Sequence, residues 1–114
     1  MSKYATNWIG LSGRSYQYWI YPIGTSFRLG SGNYIFAKQI DPDEWLPLYI
    51  GQSGNLIQIC GDPEILAVMK KRGATHIHVH YNEASARVLR IEEIDLIRNW
   101  RPLFNEKNTK IYEK

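Results

Sequence analysis

Four stretches of this 114-residue chain carry residue types at spacings that chemistry could use. Pro47 to Cys60 reads PLYIGQSGNLIQIC, a buried strand entering a glycine-rich turn and then a short helix. Such strand–turn–helix junctions often hold phosphates. The turn GQSGNL lacks the Gly-Lys-Ser/Thr ending of a P-loop, so a nucleotide triphosphatase is a poor fit. THIHVHY places His76, His78 and His80 on one face of a strand, which suggests a metal. Neighbours at i and i+2 lie about 6.6 Å apart, so one ion reaches them only with favourable rotamers. A half-exposed strand face carrying polar residues is the commoner arrangement. Lys70, Lys71 and Arg72 form a basic cluster that could meet an anion, although a helix C-terminus accounts for it better. Glu93 falls on the apolar stripe of the longest helical segment. A buried carboxylate there is either a satisfied core glutamate or a site residue. No nucleophile-elbow motif accompanies a serine here, so a Ser/His/Asp hydrolase finds no support.

The elements that must position these residues follow from local signals. YQYWIY (Tyr16–Tyr21) is aromatic and bounded by Gly13 and Pro22, which reads as a strand. NYIFAK (Asn33–Lys38) and WLPLYIG (Trp45–Gly51) are two more, joined through the turn signal DPDE as a hairpin. DPEILAVMKKRG carries full helix punctuation: Asp62 as N-cap, Pro63 at the first position, Glu64 in the first turn. The three basic residues fill the last turn, and Gly73 supplies a left-handed stop. In THIHVHY, Ile77, Val79 and Tyr81 face one way and the histidines the other. The last helix runs from Glu83 to about Trp100, with Ala86, Leu89, Leu96, Ile97 and Trp100 on its apolar stripe. The order β, β, β, helix, helix, β, helix predicts a small α+β domain, a mostly antiparallel sheet flanked by helices.

Composition bounds the rest. The length fits one domain over residues 1–114, and 44% apolar residues are ample for a core. A net charge of +3 is a mild lean towards polyanions. Cys60 is the single cysteine, so no intrachain disulfide forms, which suits a reducing cytosol. No apolar stretch spans a bilayer and no signal-peptide core opens the chain. The expectation is a cytoplasmic protein with no membrane partner, and a loose tail from Glu106 to Lys114.

One ordered set of motifs adds to this reading. GNY (Gly32–Tyr34) stands on one strand and YIG (Tyr49–Gly51) ends the next. EIDLIRNWRPLFN then spaces Glu93, Leu96, Ile97, Pro102 and Asn105 in a fixed rhythm. From about Gly32 to Asn105 the chain resembles the GIY-YIG nuclease superfamily, with Asn33 where isoleucine is usual. GATHIHVH is similar to a small bacterial and phage branch of it. The resemblance implies a GIY-YIG-type core with an N-terminal strand extension, and a metal-dependent endonuclease site for DNA or RNA. Tyr34 and Tyr49 would orient or deprotonate the attacking water. Glu93 would hold one divalent ion, Mg²⁺ or Mn²⁺, kept mostly hydrated. Asn105 would contact phosphate or support the last turn, and Lys70, Lys71 or Arg72 could lean towards the phosphate.

The chain departs from the family pattern at the helix after YIG. An arginine is usual eight residues beyond the final glycine, where this sequence has Ile59, and a histidine of the related branch falls at Pro63. Losing a charge clamp of that kind commonly costs about 10²-fold or more in rate. Two functions therefore stand: an endonuclease weakened by the absent arginine, and a catalytically inactive relative that binds nucleic acid, a nucleotide ligand or a protein partner.

Overall fold

The computed structural model describes residues 4–106. Five strands, β1 (Ala5–Ile9), β2 (Ser15–Pro22), β3 (Gly32–Asp41), β4 (Glu44–Ser53) and β5 (His76–Tyr81), form one sheet in the order β1-β2-β5-β3-β4. Every pairing is antiparallel. The helices are α1 (Leu56–Cys60), α2 (Pro63–Lys71), α3 (Ala86–Trp100) and α4 (Leu103–Glu106). This is the α+β class that the alternating segments predict. The N-terminal extension is larger than YQYWIY alone: β1 folds back on β2, and the hairpin joins the sheet through β2 and β5. Of the tail expected to be loose from Glu106 to Lys114, Glu106 ends α4 and the rest lies outside the described residues.

Strand alternation divides the core into two layers. Tyr34, Phe36, Ile77 and Val79 pack with Leu56 and Cys60 of α1 and Ile65 and Met69 of α2. Ile35, Ala37, Ile50, Trp8 and Tyr18 pack on the opposite side with Leu96 of α3. Each fully buried leucine or isoleucine contributes about 2 kcal/mol relative to exposure. The sheet is thus sandwiched, α1 and α2 on one face and α3 on the other. Burial of the Cys60 thiol pushes its pKa up to about 12, which makes it a small core residue rather than a nucleophile.

The helix ends follow the sequence signals. Asp62 Oδ1 accepts from the Glu64 and Ile65 amides and starts α2. Gly73 has φ +103°, a left-handed conformation that glycine adopts without a Cβ clash, so the chain leaves α2 there. α3 begins three residues later than the Glu83 expected, because the Ser85 hydroxyl caps it by accepting from Val88 N–H. It ends at Arg101, in left-handed conformation, and Pro102 cannot continue it. Among the described residues no helix is long and apolar enough to cross a membrane.

Candidate functional site

The β3–β4 hairpin brings the two motif tyrosines together. Its register sets Tyr34 opposite Gly51 and Phe36 opposite Tyr49. The Tyr34 and Tyr49 rings then stack, 6.3 Å between centroids and 28° between planes. Gly51 makes this arrangement sterically accessible: a Cβ there would lie 2.5 Å from Tyr34 Cζ and Oη. Tyr34 is 1% exposed and Tyr49 6%, so the pair belongs to the core cluster. Ile59 packs half-buried against that same cluster.

Asn105 is fixed by the hairpin. Its Oδ1 accepts from Ile50 N–H at 2.8 Å, and its Nδ2 donates to Ile50 O at 2.9 Å. Of the two roles implied for it, phosphate contact and support of the last turn, these two bonds are support. They tie α4 to β4 beside Tyr49 and Gly51, and consume one donor and one acceptor of the amide.

The carboxylate buried deepest on α3 is Glu92, not Glu93. The apolar spacing places both positions near the stripe, since Leu89 and Leu96 lie three and four residues from each. The packed side carries Leu89, Glu92 and Leu96, and Glu93 is half-buried beside it. Glu92 is compensated by two partners from the sheet. Tyr18 donates its hydroxyl to Oε2 at 2.6 Å, and His80 Nδ1 lies 2.9 Å from the same oxygen. The Glu92 bond raises the His80 pKa against the opposing effect of burial. Burial, then the charge of Glu92, pushes the Tyr18 hydroxyl well above its ordinary pKa. Burial raises the carboxyl pKa of Glu93, and the nearby Arg90 charge lowers it. Burial thus makes the ionised form of Glu93 costly, and a cation beside it would relieve that cost.

The three histidines do share one face, but each has a different protein partner. His78 is fully buried, and its Nδ1 accepts from Trp8 Nε1–H at 3.0 Å. His80 pairs with Glu92, and His76 Nδ1 lies 2.8 Å from the Thr75 hydroxyl. Among the described residues no group of three or more His, Cys, Asp or Glu side chains is placed to hold one ion. A divalent ion at Glu93 would rest on that single carboxylate, with water or substrate oxygens completing its shell, which suits Mg²⁺.

The basic cluster divides in two. Lys70 and Lys71 are exposed at the C-terminal end of α2, where they complement the dipole. Arg72 turns inward: its guanidinium carbon lies 4.4 Å from the Phe104 ring centroid, and Phe104 packs on the tyrosine cluster. Its Nη1 is buried with no hydrogen-bond partner among the described residues. The resemblance places an arginine at position 59; here a guanidinium reaches the edge of the tyrosine cluster from the end of the next helix instead.

His78 also sets a pH dependence. Burial, then the neighbouring His76, lowers its pKa to about 3. The unfolded chain takes up that proton near the ordinary value of about 6.5, whereas the folded protein does not, so stability falls as the pH drops below it. From pH 6.5 to 5 the loss from His78 should be roughly 1.5 kcal/mol. His76, lowered by burial, adds in the same direction. His80 acts oppositely: its raised pKa adds stability as the pH falls through it, and that gain is complete below its unfolded value. His78→Asn can keep an acceptor for Trp8 but cannot titrate. Urea denaturation at a series of pH values should show a shallower acid slope for His78→Asn than for the parent; equal slopes would refute the assignment.

Comparisons with protein-family models, curated proteins and solved structures find no match for this chain.

Proposed function

We propose that this protein is a GIY-YIG-type nuclease-fold protein whose site is built for nucleic-acid phosphodiesters, with metal-dependent cleavage weakened by Ile59. The observation that carries the reading is the stacked Tyr34–Tyr49 pair, set by the hairpin register and braced at Ile50 by Asn105. The ordered motifs imply that pairing; the half-buried carboxyl of Glu93 belongs to α3, which packs on the opposite face of the sheet, so this reading requires it to reach the tyrosines around the edge strand β4. In this reading the tyrosine hydroxyls orient the attacking water. Glu93 holds Mg²⁺ or Mn²⁺, which would supply charge stabilisation at the phosphate. Arg72 carries part of the positive charge normally given by the missing arginine, and Lys70 and Lys71 meet the nucleic-acid backbone.

A second reading is favoured by one specific fact: both tyrosines are almost fully buried and Ile59 packs over their cluster. A site closed in this way could bind nucleic acid, a nucleotide ligand or a protein partner without turnover.

Binding tests what the two share. If nucleic acid is the partner, affinity for DNA or RNA should fall with salt, because each phosphate contact releases counterions. Two contacts from Lys70 and Lys71 correspond to a log–log slope of about −2, and Lys70→Ala with Lys71→Ala should remove most of it. Fluorescence anisotropy with single- and double-stranded oligonucleotides between 25 and 200 mM salt, roughly the range over which such slopes are read, provides the measurement. Absence of binding to any of them at low salt would sink the nucleic-acid proposal and leave a small ligand or protein.

A further inference from the structure

A cavity that includes neither motif tyrosine in its lining has its own chemistry. It measures about 260 Å³ and is lined by Thr6, Asn7, Trp8, Asp43, Glu44, Trp45 and Trp100. Three of the four tryptophans of the chain line this one space. They come from three separate elements: Trp8 from β1, Trp45 from β4 and Trp100 from the end of α3. No described lining residue is basic, although the chain as a whole is net positive. Its two charged members are Asp43 of the β3–β4 turn and Glu44 at the start of β4, both exposed.

The rings are held by the protein itself. Trp8 donates its indole N–H to His78 Nδ1, and Trp100 donates its own to Ile9 O at 2.9 Å. Trp8 and Trp100 meet edge to face, 5.0 Å between centroids. Trp45 stands edge to face with His76 and His78, at 4.9 and 4.5 Å. With two of the N–H groups committed inward, what these indoles chiefly offer a ligand is carbon and π surface. Their orientations are fixed by the fold, so a ligand need not order them on binding.

An aromatic wall with carboxylates beside it selects positive charge. The ring quadrupole attracts a cation and carries no directed hydrogen bond for it, so a weakly hydrated, methylated ammonium fits better than a strongly hydrated Lys-type ammonium. The volume lies just below the range for drug-sized ligands, which suits a head group. We propose that this cavity binds a trimethylammonium group, with Trp45 and Trp100 against its methyls and Asp43 and Glu44 countering its charge. The proposal is independent of the phosphodiester reading, because none of these residues takes part in it.

Intrinsic tryptophan fluorescence reads the site directly. Titration with choline should give a saturable change, and the neutral isostere 3,3-dimethylbutan-1-ol should bind at least about tenfold more weakly. Vesicles of phosphatidylcholine form a second arm: co-sedimentation would place the group on a lipid, and binding of choline alone would make it a free solute. Asp43→Asn with Glu44→Gln, both on the surface and neutral to folding, should weaken choline about tenfold; Trp45→Phe should weaken it less than Trp45→Ala. Equal affinity for the neutral isostere, an unaltered affinity in the double carboxamide variant, or no saturable response to choline or to vesicles would each overturn the proposal.

Discussion

Replacing Glu92 by alanine should destabilise the protein by about 1–3 kcal/mol, the usual penalty when a buried donor, here the Tyr18 hydroxyl, is left without its acceptor. Typical domains hold only about 5–15 kcal/mol in total, so the change is a large fraction of it. The Tyr18 hydroxyl, fully buried, would lose its acceptor at 2.6 Å, and His80 would lose the carboxylate that favours its protonated form. Glu92→Gln should cost less, because its amide can still accept from Tyr18. In that variant the His80 pKa should fall, and the stability gained as the pH drops through the raised value should disappear. Glu93→Ala is the contrast: half-buried at the border of the packed face, it should cost about 1 kcal/mol or less. Urea denaturation of the three variants, with the imidazole of His80 titrated by NMR, measures both effects. Equal losses for Glu92→Ala and Glu93→Ala would show that the hydrogen-bonded trio does not carry the stability assigned to it.

The same pair of glutamates shows where sequence reading stops. Hydrophobic spacing brings both positions to the stripe, since a period of 3.6 cannot separate neighbours midway between Leu89 and Leu96. The choice is made by Tyr18 and His80, which are distant in sequence from α3 or belong to another strand, and no local pattern reports that contact. Short-range signals did better. The alternation in THIHVHY gives the two faces of β5 correctly, and the punctuation of DPEILAVMKKRG gives α2 almost to the residue. The β3–β4 hairpin was legible from its turn. The insertion of β5 between β2 and β3 was not, because sheet order is decided by non-local pairing. β1 escaped notice since ATNWI is short and polar at its centre; its burial rests on Trp8, whose partner His78 lies 70 residues away. The site divides the same way. The tyrosine pairing follows from motif order, whereas the inward turn of Arg72 onto Phe104 depends on how α2 meets α4 and leaves no trace in either segment.

Ile59→Arg should raise Mg²⁺-dependent cleavage by about 10²-fold over the parent, the usual worth of one charge aimed at a developing anion. The reasoning is local. Tyr34 and Tyr49 are stacked, Asn105 bonds the Ile50 backbone next to Tyr49, and Glu93 is present on α3. Ile59 packs half-buried against the cluster that contains both tyrosines, so an arginine stem can follow the surface it now covers while the guanidinium reaches outward. Arg72 does not make the substitution redundant, because its guanidinium is engaged with Phe104. The measurement is cleavage of a plasmid and of single-stranded oligonucleotides with Mg²⁺ or Mn²⁺ by the parent, Ile59→Arg, Arg72→Ala and Glu93→Ala. A slow parent, a faster Ile59→Arg, and loss of that gain on adding Glu93→Ala would place the missing charge where the motif order puts it. Strong cleavage by the parent that Arg72→Ala removes would instead make Arg72 the working clamp. If the parent and Ile59→Arg are both inactive while circular dichroism shows both folded, turnover is excluded from the proposal and the closed tyrosine cluster is that of a binding protein.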